Sequence, residues 1–391
     1  MKVKGFLQDV GGASRVTKRR QAVYDKASPK PAPYDPIGAV AKALHPGMIE
    51  LRVEEIRTAS KTAKTIRFTS PDHLPYFRAG QFLTLVINKD GGRINRPYSI
   101  SSAPRDTRGD HPFVEITVRK PKANGFIADY LYDEVRPGDT FQGEVGLGEF
   151  HYETLRDAKN VVAIAGGSGI TPFVSMAKEI KNGREDFDLT ILYGSVSEDD
   201  IVLKEEMEAC ACDKVKIVHV LSGENPGWQG EKGFITRDII KKYSSDDTTY
   251  FVCGPQVMYD FISRELAAMD VPKRRIRFEV FGQAADVTGF AGYPAEKKDE
   301  VYDLTVCIGV SETVIPAKAC ESLAVALERA GLKIHTACRS GSCGFCRTKV
   351  LDGPYFVSPQ NDGRRAADKD FNYVHACSAY PLGNMKIKIN I

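Results

Sequence analysis

The stretch Asn160-Val-Val-Ala-Ile-Ala-Gly166-Gly-Ser-Gly169-Ile-Thr171-Pro172 divides the chain into two kinds of pattern. An unbroken apolar run, a glycine-rich turn and a helix start with proline in its first turn describe a buried strand feeding a helix. Downstream the unit recurs: apolar runs at 189–194, 214–221, 248–254 and 276–281 alternate with helical stretches at 173–182, 200–209, 235–243 and 256–269. Strands alternating with helices give βαβ units and a parallel sheet. Upstream, from 48 to 150, short strands of period two are broken by turn signals such as Asp90-Gly91-Gly92 and Arg136-Pro137-Gly138-Asp139, the pattern of an antiparallel barrel. Beyond the α/β region, 283–300 loses periodicity and gathers Gly, Ala, Pro and charge, as a linker does. Two strands (302–310 and 312–317), a helix stopped by Gly331, a cysteine loop and two closing strands then predict a small α+β module.

At 391 residues the chain is long enough for two or three domains. No run approaches the roughly 18 apolar residues that span a bilayer, and the start lacks the apolar stretch of a secretory signal, so the expectation is a cytoplasmic protein without a membrane span. An odd number of cysteines, nine, argues against an oxidising compartment. Net charge is +3, yet residues 1–46 hold nine Lys and Arg against three Asp, so the remainder is slightly acidic. This basic leader reads as a solvated extension or a docking segment for an acidic partner. No aromatic-and-basic platform accompanies it, so nucleic acid is not an expected partner.

The cysteine loop carries the most specific spacing: Cys338-Arg-Ser-Gly-Ser-Cys343-Gly-Phe-Cys346, with Cys377 following. C-x4-C-x2-C…C is the plant-type pattern for a 2Fe-2S cluster. A structural zinc site is the alternative, but zinc modules usually pair two C-x2-C knuckles, and only Cys343 and Cys346 form one. Small residues between the ligands let backbone N-H groups turn toward anionic sulfur. The segment resembles plant-type ferredoxins at all four ligands, which implies a β-grasp fold for the last module.

Arg96-Pro97-Tyr98-Ser99 matches the R-x-Y-S motif of the ferredoxin-NADP reductase superfamily. An arginine for a phosphate, a ring for an isoalloxazine and a hydroxyl near its N5 form a coherent set. The strand bearing Thr117 and Arg119, and the segment from Gly125 and Phe126 to Leu131, resemble the family elements that follow. The family serine that would bind the flavin pyrophosphate is Ala128 here, so FAD is expected and FMN stays open. Gly166, Gly167, Ser168, Gly169 and Thr171 resemble the family's AGG-[ST]-G-I-T-P turn, and Cys253-Gly254-Pro255 its C-G-P motif. The resemblance implies that Ser99 and Cys253 meet at the hydride-transfer site. It also places Glu279 to Phe281 near the flavin, although Phe281 is equally readable as core. Glu198, Asp199 and Asp200 would repel a 2′-phosphate, so NADH is the expected donor, with Lys204 the one nearby cation.

These readings divide the chain into a leader (1–46), a flavin-binding antiparallel β-barrel (47–155), an NAD-binding α/β domain (156–282), a linker (283–300) and a 2Fe-2S ferredoxin-like domain (301–391). NADH gives two electrons together whereas a 2Fe-2S cluster takes one, so a flavin between them is a chemical necessity. The implied protein is an NADH-dependent reductase supplying electrons to a separate protein acceptor, expected to touch the loop between Arg339 and Phe345. Two alternatives stand beside it: reverse flow from a reduced partner to NAD, and a redox-sensing or scaffold subunit with a vestigial nucleotide site.

Overall fold

The computed structural model describes residues 6–27, 35–44, 47–89, 92–120, 126–279, 282, 286–358 and 362–389. The expected turn at Asp90-Gly91, the phosphate-side Gly125 and Phe281 lie outside the described residues. The leader is a unit by itself, with helices α1 (Phe6–Tyr24) and α2 (Pro36–Leu44). Everything from Pro46 onward forms the second unit.

That unit begins with β1 (Met48–Ser60), β2 (Ala63–Thr69), β3 (Phe82–Lys89), β4 (Gly92–Ser99), β5 (Val114–Arg119), the short helix α3 (Phe126–Asp129) and β6 (Thr140–Leu147). The antiparallel order is β4-β3-β6-β1-β2-β5, and a bridge between Ile100 and Ile116 joins the two ends into a barrel. Alternating Ile49, Leu51 and Val53 of β1 face a core with Ile66, Phe68, Leu83 and Leu85. Burying such side chains is worth about 1.5 to 3 kcal/mol each before entropy is counted.

The parallel sheet follows: β7 (Asn160–Gly166), α4 (Thr171–Lys181), β8 (Asp188–Ser195), α5 (Lys204–Glu208), β9 (Val215–Leu221), β10 (Glu231–Lys232), α6 (Arg237–Lys242), β11 (Thr248–Cys253), α7 (Gln256–Ala267) and β12 (Ile276–Glu279). Its order, β10-β9-β8-β7-β11-β12, reverses direction at β7. Ligands in such sheets bind outside the carboxyl ends of the strands at that switch point. Here the ends are Gly166 of β7 and Cys253 of β11, the two sequence motifs. After Asn160 in β7 and Thr248-Thr249 in β11, both central strands are apolar because the sheet is covered on both faces, by one cluster around Phe173 and Ile191 and another around Ile240 and Ile262.

The last module contains β13 (Val301–Ile308), β14 (Ser311–Lys318), α8 (Leu323–Arg329), β15 (Arg347–Asp352), β16 (Tyr355–Val357), α9 (Ala366–Asp370), β17 (Tyr373–His375), β18 (Ala379–Pro381) and β19 (Met385–Ile389). Its main sheet runs β14-β13-β19-β15-β17, with β13 and β19 parallel, and the helix α8 lies in the same core as Leu304, Val306 and Ile387. The stretch read as a linker is partly ordered against this module, since Val287 and Tyr293 are buried with Tyr380. Among the described residues no helix is long and apolar enough to cross a membrane.

Edge strand β12 is tied down by Arg277, whose Nε donates to Asp157 Oδ1 at 2.9 Å, both side chains nearly inaccessible. Removing one member of a buried pair leaves an uncompensated charge. Asp157→Ala should therefore lower unfolding free energy by about 3 to 5 kcal/mol in denaturant titration. Asp133→Ala, which breaks the exposed pair to Lys120, should cost less than about 1 kcal/mol.

Candidate functional site

Helix α4 brings the barrel and the parallel sheet together. Lys178 Nζ donates to Ser101 O at 2.9 Å, Ser175 Oγ to Ser102 O at 2.7 Å, and Arg105 N to Glu179 Oε1 at 2.9 Å. Those barrel carbonyls come directly after the Tyr98-Ser99 strand end, so the seam sets one motif against the other. Between them opens a cleft of about 730 Å³. Pro97, Tyr98, Ser99, Thr117 and Arg119 line it from the barrel, Gly166 to Gly169 and Thr171 from the first nucleotide turn, and Cys253, Gly254 and Pro255 from the second. Ala128, standing at the family's serine position, lines it as well. Phe126 opens α3, and Gly125 before it is outside the described residues.

Arg96 is placed differently. It is not among the residues lining the cleft; its Nη1 donates to Asn95 O at 3.0 Å. Burial, then the neighbouring Arg339, pushes its pKa down to about 10, so it is still a cation at neutral pH. A flavin phosphate would supply the counter-charge that this guanidinium lacks.

The glycine turn meets the demands of a pyrophosphate site. Gly167 has φ +54°, and a Cβ there would lie 2.6 Å from Arg119 Nη1. A Cβ on Gly169 would lie 2.2 Å from Cys253 O, so this position admits only glycine at the crossing of the two turns. The turn leads into the N-terminus of α4, where N-H groups and dipole favour an anion. Tyr193, fully buried, holds it from below: its hydroxyl donates to Gly167 O at 2.8 Å and accepts from Val202 N at 3.1 Å. A second cavity of about 600 Å³ continues past Gly194, Ser195 and Phe234 and shares Arg119, Gly166, Gly167, Val196 and Pro255 with the first. A dinucleotide reaching from one to the other would pass under Arg119.

That arginine is held by Asp200, through Nη2 at 2.6 Å to Oδ1 and 2.5 Å to Oδ2, and by Thr62 Oγ1 at 3.2 Å. The three acids expected to repel a 2′-phosphate therefore do different things. Asp200 is taken up by Arg119, Glu198 by Lys204 at 2.6 Å, and Asp199 alone points to solvent unpaired. Lys204, the cation nearest to these acids in the sequence, is spent in that pair, whereas Arg264 lines the second cavity.

Cys253 is buried, and its thiol is pushed well above the ordinary range, first by burial and then by Glu279, so it stays neutral. A neutral buried thiol lacks the thiolate character of a nucleophile. Cys253 and Glu279 are register partners on β11 and β12, and the Tyr259 hydroxyl donates to Glu279 O while accepting from Gly254 N at 3.1 Å. Burial also raises the Glu279 carboxyl, with the Cys338 sulfur adding to the effect. Just beyond Glu279, Gly282 N donates to Cys338 O at 3.1 Å.

The four cysteines fall into two pairs. The thiol of Cys343 donates to Cys338, lowering the Cys338 pKa despite burial, and Cys346 Sγ lies 3.3 Å from Cys377 Sγ. Among the described residues no three ligating side chains converge on one point. Two pairs of thiols suit two irons better than a single tetrahedral zinc. Backbone donors face the sulfurs as the small residues allow: Ser340 N and Cys343 N to Cys338 Sγ at 3.4 Å each, Gly341 N to Cys377 Sγ at 3.2 Å. The loop needs positive φ at Arg339, Gly341 and Gly344. One expectation is corrected: Arg339 is not on an exposed rim but 1% accessible, its guanidinium donating to both oxygens of Glu328, at 2.5 and 2.9 Å. The exposed part of the loop is Ser342, Cys343 and Phe345.

Comparison with known proteins agrees with this geometry. Three family models match in order: an oxidoreductase FAD-binding domain over 50–152, an oxidoreductase NAD-binding domain over 163–264 and a 2Fe-2S iron-sulfur cluster binding domain over 308–382. The glycine betaine monooxygenase reductase subunit of Pseudomonas aeruginosa is 26% identical over 328 residues, 80% of this chain and 87% of its own length. NADH-cytochrome b5 reductase 2 of Emericella nidulans is 30% identical over 273 residues, 66% of this chain and 77% of its own. Among solved structures, phthalate dioxygenase reductase superposes with a TM-score of 0.62 at 23% identity, covering 88% of this chain and 98% of that one.

Tyr193→Phe deletes the hydroxyl that braces the glycine turn, removing the donor to the half-buried Gly167 carbonyl and the acceptor of the buried Val202 N-H. The KM for NADH should rise about fivefold, the equivalent of ~1 kcal/mol, with the flavin content of the purified protein unchanged. An unaltered KM would show that the turn keeps its shape without this brace.

Proposed function

We propose that this chain, which belongs to the ferredoxin-NADP reductase superfamily of flavoproteins and carries a fused 2Fe-2S domain, conducts electrons from NADH through a flavin and a 2Fe-2S cluster to a separate protein acceptor. The observation that carries the reading is the meeting of three motifs in one place: Tyr98-Ser99 and Cys253-Gly254 line a single cleft, and Gly282, three residues after the Glu279 that pairs with Cys253, bonds the Cys338 carbonyl. When bound, the flavin supplies the change from paired to single electrons that the cluster requires.

The residues of the chain provide positions and charge. Tyr98, whose hydroxyl is kept neutral by burial, and Ser99 are placed to take the isoalloxazine. Arg96 offers the cation for its phosphate. The turn from Gly166 to Gly169 and the N-terminus of α4 are suited to the dinucleotide pyrophosphate, with Arg119 above. Cys253 and Ser99 enter the cleft from opposite domains, the arrangement that holds a hydride donor and acceptor at roughly 3 to 3.5 Å. FAD fits the matched family model, while Ala128 withdraws one hydroxyl from the pyrophosphate side, which leaves FMN as the variant to exclude by extraction. NADH is the donor because unpaired Asp199 disfavours a 2′-phosphate and no cation in that loop is unpaired. The oxygenase-reductase names among the relatives support a terminal oxygenase as the acceptor class.

Anaerobic addition of NADH should bleach the visible bands of both flavin and cluster. Failure to bleach either would overturn the reading in favour of a sensor or scaffold. Cys346→Ser should abolish the cluster bands and the reduction of protein acceptors, yet retain flavin bleaching by NADH and reduction of ferricyanide.

A further inference from the structure

The cysteine loop has two faces. Its inner face is closed: Asn95 Nδ2 of β4 donates to Thr336 O at 3.4 Å, Arg339 is buried against Glu328, and Gly282 N bonds Cys338 O. Its outer face opens on a cavity of about 410 Å³ bordered by Ser342, Cys343, Gly344, Arg347 and Arg365. Two properties of this outer face bear on what can approach it.

The first is charge. Arg347 and Arg365 line the cavity and are exposed, and Lys369 is exposed one residue beyond Asp368, which also lines it. The acids beside them are mostly consumed inward: Asp368 accepts from Arg347 and from Arg365 N, and Asp362 is shared by Arg364 at 2.8 Å and Lys369 at 3.0 Å, with both carboxylates largely covered. Arg365 has no carboxylate partner among the described residues. Asp370, at the far end of α9, is the exposed acid of this segment. The second property is an exposed aromatic side chain in the cysteine loop itself. Phe345, between Gly344 and ligand Cys346, is 56% exposed, and Phe371 beyond α9 is 63% exposed. Exposed aromatics on a segment that also presents arginine are the composition of a protein interface rather than of a small-molecule pocket.

We propose that the face formed by Phe345, Arg347, Arg365 and Lys369 is the docking surface for the electron acceptor, and that the acceptor is a protein presenting an acidic ring around an apolar spot. This deepens the function proposed above and rests on it for the identity of the cluster. Opposite charge at such a rim acts on the association rate, which falls steeply with salt, more than on the lifetime of the complex.

The test uses the full-length holoprotein with its cluster reduced by stoichiometric dithionite, so that delivery to a partner is measured apart from entry by NADH. The probes are two haem proteins of opposite charge, acidic cytochrome b5 and basic cytochrome c, mixed in stopped flow at low and at physiological ionic strength. The wild-type protein should reduce cytochrome b5 faster at low salt and lose that advantage as the Debye length shrinks to about 8 Å. Arg365→Glu should slow cytochrome b5 about threefold to tenfold and speed cytochrome c, with Lys369→Glu acting in the same direction. Phe345→Ala should slow both protein probes but not ferricyanide. Rates insensitive to salt and to the Arg365 charge, or a wild-type preference for cytochrome c, would overturn the docking assignment even if NADH bleaches both centres. A cluster that NADH cannot bleach but that shows these charge effects would instead overturn the NADH entry and leave the docking surface standing.

Discussion

The seam between helix α4 and the barrel is the constraint on which the rest of this structure depends. Lys178 and Ser175 do not merely pack; they satisfy the carbonyls of Ser101 and Ser102, which emerge from the flavin strand with no sheet partner to accept them. Lys178 also reaches Glu206 at 2.7 Å, and Glu206 reaches Arg57 of β1 at 3.1 Å, so the charges on the seam are mutually paired. A seam built from satisfied polar groups has one low-energy register, because sliding it would leave buried donors and acceptors unpaired. A greasy seam would tolerate sliding. Hydride transfer does not tolerate it, since a misplacement of ~1 Å can cost a hundredfold in rate.

Charge at the second junction, between flavin strand and cysteine loop, is arranged on another principle. Glu328 is the carboxylate for Arg339 and also lies within electrostatic reach of Arg96, which it favours in the charged form. One buried and one half-buried guanidinium against one carboxylate leave an excess of positive charge beside the flavin site. That excess is costly in the protein alone and is relieved by an anionic phosphate. Docking of the cluster module and loading of the flavin are thereby tied to the same few charges.

Much of this was legible in the chain. Apolar runs as short as Val161 to Ala165 are strands because a helix that short could not bury them, and the order of the sheet followed from their alternation with helices. Cysteine spacing pointed to Cys338, Cys343, Cys346 and Cys377 as one ligand set, though not to which sulfurs would pair. What escaped was long-range. The sequence around Arg96 gives no hint that the cysteine loop, 240 residues on, would cover it, and β4 itself is interrupted by Pro97, which local reading discounts as strand; the proline is tolerated because β4 is an edge of the sheet order. The helix expected over 200–209 shrinks to Lys204–Glu208. Leu203 takes a left-handed φ of 57°, and Asp200 is drawn away to Arg119, both tertiary demands that override propensity.

Asp200 also shows why charge in a loop cannot be converted directly into specificity. Three consecutive acids form a repulsive field for a phosphate only while they are unpaired, and the fold pairs the outer two with Lys204 and Arg119. Pairing with Arg119 has a further effect, since that guanidinium lies over the glycine turn where a pyrophosphate would add negative charge. Asp200 and the pyrophosphate are then competitors for one cation. The carboxylate keeps the arginine in place while the turn is empty, and the ligand must draw it off. An arginine without such a partner would be free to leave the turn, at a cost in side-chain entropy each time the dinucleotide bound. Holding it at 2.6 Å in advance exchanges some binding energy for a preformed site.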